Sequence, residues 1–99
     1  MVISTYLTKR ESELLSAMSK TLAEKTESRN NISAYVRKQI KNITDQEILD
    51  LQLNIVNTNE SDTTTFQITE NQMLKLEAFA QRKNTTKARL LRSIILKDI

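Results

Sequence analysis

Ninety-nine residues with a net charge of +3, 38% hydrophobic and 4% aromatic, make one ordinary domain or two very small ones. Cysteine and histidine are both absent, which excludes disulfides, the usual zinc sites and the Ser-His and Cys-His nucleophile systems. Glycine is absent too, which removes the loops that cradle phosphates, so neither an enzyme nor a cofactor is expected.

Units below about 40 residues rarely fold alone without a metal, a disulfide or a partner. A half-length unit of this chain must therefore share its core. Charge comes in blocks: residues 1–42 hold eight Lys/Arg and four Asp/Glu, residues 43–62 none and five, and residues 63–99 seven and three. Two basic segments of +4 thus flank an acidic one of −5, and basic segments attract polyanions. No apolar run nears the ~20 residues of a membrane span, and no basic-then-apolar leader opens the chain. A cytoplasmic protein without a membrane partner is the expectation.

Turns must be built from Asn, Asp, Ser and Thr, since proline is absent as well. Residues 1–8 suit a strand, with Ile3, Thr5 and Leu7 on one face and Val2, Ser4 and Tyr6 on the other. Leu14, Leu15, Met18 and Leu22 then form a helical stripe. After the polar residues 27–31, Asn31 can cap a helix that presents Ile32, Tyr35, Val36 and Ile40. Thr44-Asp45-Gln46-Glu47 fits a capping box ahead of Ile48 and Leu49, while the alternation Leu51, Leu53, Ile55 suits a strand equally. Residues 57–62 read as a tether.

The last segment is the clearest. Thr63-Thr64-Thr65-Phe66-Gln67-Ile68-Thr69 is β-branched and alternating, with Thr64, Phe66 and Ile68 on one face and Thr63, Thr65 and Gln67 on the other. The period then lengthens: Met73, Leu76 and Ala80 share a helical face, with Leu74 and Phe79 beside it. Asn84 can end that helix in the left-handed conformation. Thr85 or Thr86 can cap a second helix striped by Leu90, Leu91, Ile94 and Ile95. The order strand, helix, turn, helix therefore occurs twice.

Ile68 and Leu76 eight positions apart, Ala80 at the end of the first helix, and Asn84-Thr85-Thr86-Lys87-Ala88-Arg89-Leu90-Leu91-Arg92 resemble the ribbon-helix-helix family of DNA-binding proteins, the Arc and MetJ class. The resemblance covers nearly all of residues 63–99, with Asn84 where glycine is usual. Asn31-Ile32-Ser33-Ala34-Tyr35-Val36-Arg37-Lys38-Gln39-Ile40 matches the second-helix pattern in the first half, where Leu7 takes the part of Ile68. There the connection from strand to second helix is about six residues longer, and Thr5 stands where the family carries an apolar residue. The tandem form resembles TraY-type conjugation accessory proteins.

The resemblance implies a mainly α fold. Two ribbon-helix-helix units, residues 1–42 and 63–99, would be joined by an acidic linker, residues 43–62, and share a two-stranded antiparallel β-ribbon. The ribbon would enter the major groove of double-stranded DNA. Its base readers would be Thr63, Thr65 and Gln67 from one strand and Ser4, Tyr6 and Val2 from the other. Gln pairs bidentately with adenine, and the Thr methyl meets thymine. The second-helix N-termini would hold phosphates, at Asn30 and Asn31 in one unit and at Thr85 and Thr86 in the other, with Arg29, Lys87 and Arg89 adding charge. Phe66, Ile68, Leu76, Leu90, Leu91 and Ile94 read as core. The implied role is a transcriptional repressor that self-associates on adjacent DNA sites. The alternatives are a relaxosome accessory factor that marks a plasmid transfer origin beside a relaxase, an antitoxin that blocks its toxin with the connector, and a helical interaction protein that binds no DNA.

Overall fold

The computed structural model describes residues 1–25, 31–53 and 61–97. In chain order these form β1 (Val2–Thr8), α1 (Lys9–Lys25), α2 (Ile32–Asn42), α3 (Asp45–Asp50), β2 (Ser61–Gln67), α4 (Glu70–Arg82) and α5 (Lys87–Leu96). The fold is mainly helical, with a two-stranded antiparallel sheet of β1 and β2. Strand-helix-helix order appears in each half, and α3 is added between them. No helix among the described residues is long and apolar enough to cross a membrane.

The two strands pair with Val2 opposite Gln67, Ser4 opposite Thr65 and Tyr6 opposite Thr63. Alternation along each strand sorts the side chains as their polarity dictates. Ile3, Thr5, Leu7, Phe66 and, just past the strand, Ile68 are buried; Val2, Ser4, Tyr6, Thr63, Thr65 and Gln67 are exposed. Thr5 occupies an inner position at 1% exposure. Its hydroxyl donates to the Ala88 carbonyl in α5 at 2.6 Å. Left unbonded, a buried hydroxyl would cost about 1–3 kcal/mol; bonded, it ties α5 to β1.

Each strand runs directly into a helix through the same cap. Thr8 and Glu11 exchange side-chain and backbone hydrogen bonds at the start of α1, as do Thr69 and Gln72 at the start of α4. Such a cap contributes about 1 kcal/mol and fixes where the period changes. At the other end of α4, Asn84 takes φ 54°. The Thr85 N–H reaches Ala80 O and the Asn84 N–H reaches Gln81 O, which is the Schellman ending with asparagine in place of glycine. α1 has 17 residues against 13 for α4, so four of the extra residues in the first half extend this helix. Its buried row is Leu15, Ser19 and Ala23, with Met18 and Leu22 partly covered. Leu14 is exposed: the helix is turned so that Leu15, Ser19 and Ala23, not Leu14, face inward.

The second helices cross to the other half's strand. Arg92 of α5 donates to the Tyr6 carbonyl at 2.8 Å and grips Glu11 with both guanidinium nitrogens, at 2.6 and 2.8 Å. Arg37 of α2 donates to the Gln67 carbonyl at 2.9 Å, and Gln72 donates to the Arg37 carbonyl. An offset of 61 residues carries Tyr6 to Gln67 and Glu11 to Gln72, and one of 55 carries Arg37 to Arg92. The two crossings are thus related by an approximate two-fold. One continuous core results, containing Ile3, Leu7, Val36, Ile40, Phe66, Leu76, Leu90 and Ile94 among others. All six residues that the sequence marks as core in residues 63–99 lie in it.

The acidic segment is not a free tether over its described part. Thr44 and Glu47 form the expected capping box and α3 follows, so Leu51 ends a helix instead of opening a strand. Ile48 is 1% exposed in the common core. Lys83 bonds the Leu49 and Leu51 carbonyls, Lys75 bonds those of Ile40 and Ile43, and Lys97 pairs with Glu47. Cations at helix C-termini satisfy orphan carbonyls and complement the dipole. Residues 54–60, with Ile55 and most of the expected tether, lie outside the described residues, and Ser61 and Asp62 already belong to β2.

Removing one partner of a buried ion pair strands the other. Arg92→Ala should lower the unfolding free energy by about 3 kcal/mol, and Arg37→Ala, whose bond lies at the surface, by about 1 kcal/mol. Urea unfolding of both variants measures this; equal losses would contradict the assignment of Arg92 as the tighter crossing.

Candidate nucleic-acid interface

The exposed face of the ribbon carries three cross-strand pairs: Val2 with Gln67, Ser4 with Thr65, and Tyr6 with Thr63. These are the six residues that the sequence nominates as base readers, brought together on one surface. Ser4 Oγ and Thr65 Oγ1 lie 3.0 Å apart and share a hydrogen bond. Val2 remains 59% exposed and Tyr6 38%, although neither an aliphatic nor an aromatic side chain gains from solvent. Gln67 is held by its backbone while its side chain is exposed: its N–H donates to Ser33 Oγ at 3.3 Å and its carbonyl accepts from Arg37. Together the six offer hydroxyl and amide groups that both donate and accept, with Val2 and the Thr methyls as apolar contacts. A two-stranded ribbon is of a width that the ≈ 12 Å major groove admits.

Two helix N-termini lie against the ribbon. Asn31 Oδ1 accepts from the Ala34 N–H at the start of α2, and Thr86 Oγ1 from the Arg89 N–H at the start of α5. The second residue of each helix touches the ribbon: Ser33 accepts from Gln67, and Ala88 accepts from Thr5. The first N–H groups of both helices have no partner within the helix and carry its positive dipole end, a setting that suits an anion. Thr85 is not a cap, since its N–H closes the end of α4 and its hydroxyl is buried without a partner among the described residues. Arg89 is exposed. Lys87 bonds Glu77 at 3.0 Å with both side chains roughly two-fifths exposed, a pairing that salt or a phosphate displaces readily. Asn30 and Arg29 lie outside the described residues.

Sequence reasoning missed the residues that hold the site in place: Arg37, Arg92, Glu11 and Gln72. A signal existed, because Arg37 and Arg92 each follow an apolar doublet, Tyr35-Val36 and Leu90-Leu91. What they bond, however, lies across the molecule. Burial pushes the Glu11 carboxyl up, but the Arg92 guanidinium and the bonds to Thr8 outweigh it and hold the pKa below the ordinary 4.5. Comparison of the chain with protein-family models, curated proteins and solved structures returned no match.

A depressed folded-state pKa adds stability above the ordinary value and loses it as pH falls through the lower one. The stability difference between wild type and Glu11→Gln should therefore shrink below pH 4.5. Unfolding curves from neutral to acid pH measure it, and a difference independent of pH would show that the carboxylate charge is not what Arg92 holds.

Proposed function

We propose that the chain is a double-stranded DNA-binding protein with two ribbon-helix-helix units in one chain, acting as a transcriptional repressor. The observation that carries this reading is the outward face of the ribbon. Six side chains with base-reading chemistry stand there in three pairs, on a ribbon that two capped helix N-termini touch. In the proposed complex the ribbon lies in the major groove. Gln67 pairs with an adenine edge, Thr63, Thr65, Ser4 and Tyr6 offer hydroxyls, and Val2 and the Thr methyls meet thymine. Asn31 and Thr86 mark the helix starts that receive phosphates on either side, with Arg89 and Lys87 adding charge. The same contacts would serve at a plasmid transfer origin beside a relaxase; the ribbon carries the binding in either setting.

Selection of bound duplexes from a random pool supplies the cognate site for a direct test. On that site, Gln67→Ala should weaken binding by about 1–3 kcal/mol, the worth of one good base contact, and leave affinity for random duplex nearly unchanged. Equal losses on cognate and random DNA would remove Gln67 from base reading. Wild-type affinity should also fall steeply with salt, because phosphate contacts release condensed counterions; a flat log–log plot would overturn the DNA-binding reading as a whole.

A further inference from the structure

We propose that Lys9, Arg10 and Arg89 form a phosphate-binding patch at the Tyr6–Thr63 end of the ribbon, so that the protein grips a duplex from one end and seats on it in one orientation. The inference rests on the DNA-binding reading above and names the part of the surface that does the gripping. Lys9 and Arg10 open α1 immediately after β1. Arg89 lies in the first turn of α5, which is bonded to β1 through Thr5 and Tyr6. All three are exposed, and none has an ion-pair partner among the described residues. Of the nearby acids, Glu11 is taken by Arg92, which leaves Asp62 on the strand and Glu13 in α1 as the exposed carboxylates there.

Among the described residues, the other end of the ribbon lacks this patch. By the approximate two-fold, Glu70 stands in place of Lys9, Asn71 in place of Arg10, and Ala34 in place of Arg89. Its one arginine among the described residues, Arg37, is turned onto the Gln67 carbonyl. The readers differ in the same sense, since Tyr6 answers to Gln67 and Val2 to Thr63. Most other cations of the second half are engaged within the fold: Lys75 and Lys83 on carbonyls, Lys87, Arg92 and Lys97 on carboxylates.

Helix stability does not explain the patch. Lys9 and Arg10 sit in the first turn of α1, where the positive end of the dipole disfavours cations. Acids are preferred there, and Glu70 fills the equivalent place in α4. Two cations against the dipole, at the end of the ribbon that α5 touches, are positioned for an anion outside the chain.

The test compares Lys9→Gln/Arg10→Gln with Lys20→Gln/Lys41→Gln, a control that removes the same charge two or more helical turns farther along α1 and α2. Binding of both to a short mixed-sequence DNA duplex is followed across salt concentrations, together with thermal unfolding. The patch variant should lose about 1.8 from the magnitude of the log–log salt slope, or 0.9 per phosphate contact, while the control keeps the wild-type slope. Its melting temperature should stay level or rise, because the dipole conflict is relieved. An unchanged slope, an equal loss in the control, or a lowered melting temperature in the patch variant would overturn the one-ended grip. Failure of the wild-type protein itself to bind in a salt-dependent way is a different result, and it would overturn the DNA-binding reading on which this proposal stands.

Discussion

The pairing of β1 with β2 is the contact on which the rest of the molecule depends. Among the described residues neither strand has a partner in its own half, and a two-stranded ribbon in water is marginal unless one face is covered. The cover comes from both halves. Thr5 and Tyr6 of β1 are bonded by α5, and Gln67 of β2 is bonded by α2. Opening the ribbon would therefore expose Ile3, Leu7, Phe66 and Ile68 and leave Arg92 without its carbonyl. Joining both strands in one chain raises their effective concentration for each other, which favours closure within the chain.

That arrangement leaves only one face of the ribbon for use. The inner face is committed to the core, while the outer face carries side chains that the fold itself hardly needs. Val2 stays largely open and Tyr6 partly so, and the Gln67 side chain is exposed on a backbone fixed from both sides. A surface that is rigid beneath and chemically mixed above is suited to reading another molecule, because little freedom is lost when it binds. The approximate two-fold makes this surface a ribbon with two ends, and the exceptions to the symmetry make the ends unequal.

Much of this was legible in the sequence because the period changes are sharp. Alternation in residues 1–8 and 63–69 sorted the strand faces, and both second-helix caps fell on expected residues, Asn31 and Thr86. Asn84 was readable as the left-handed residue because the chain has no glycine to offer there. The capping box at Thr44 was readable too, but the choice between helix and strand beyond it was not. The burial of Ile48 and the lysine bonds to Leu49 and Leu51 decide it, and these come from residues far along the chain. Leu14 was misplaced for a related reason: spacing finds a stripe, while the packing of α1 chooses which edge of it turns inward. Thr5 breaks the apolar pattern of its strand face because its acceptor, the Ala88 carbonyl, lies in another helix, out of reach of any local spacing.

One chain closes its own ribbon, with residues 4 and 65 facing each other on the outer surface. The chain has no cysteine, so Ser4→Cys/Thr65→Cys introduces the only pair. After mild oxidation at low micromolar concentration, non-reducing electrophoresis should show a disulfide-closed species of one chain mass, 11.4 kDa, that reverts on reduction. A covalent species of twice that mass as the main product, with little closed monomer, would mean that the strands pair between chains and would contradict the account.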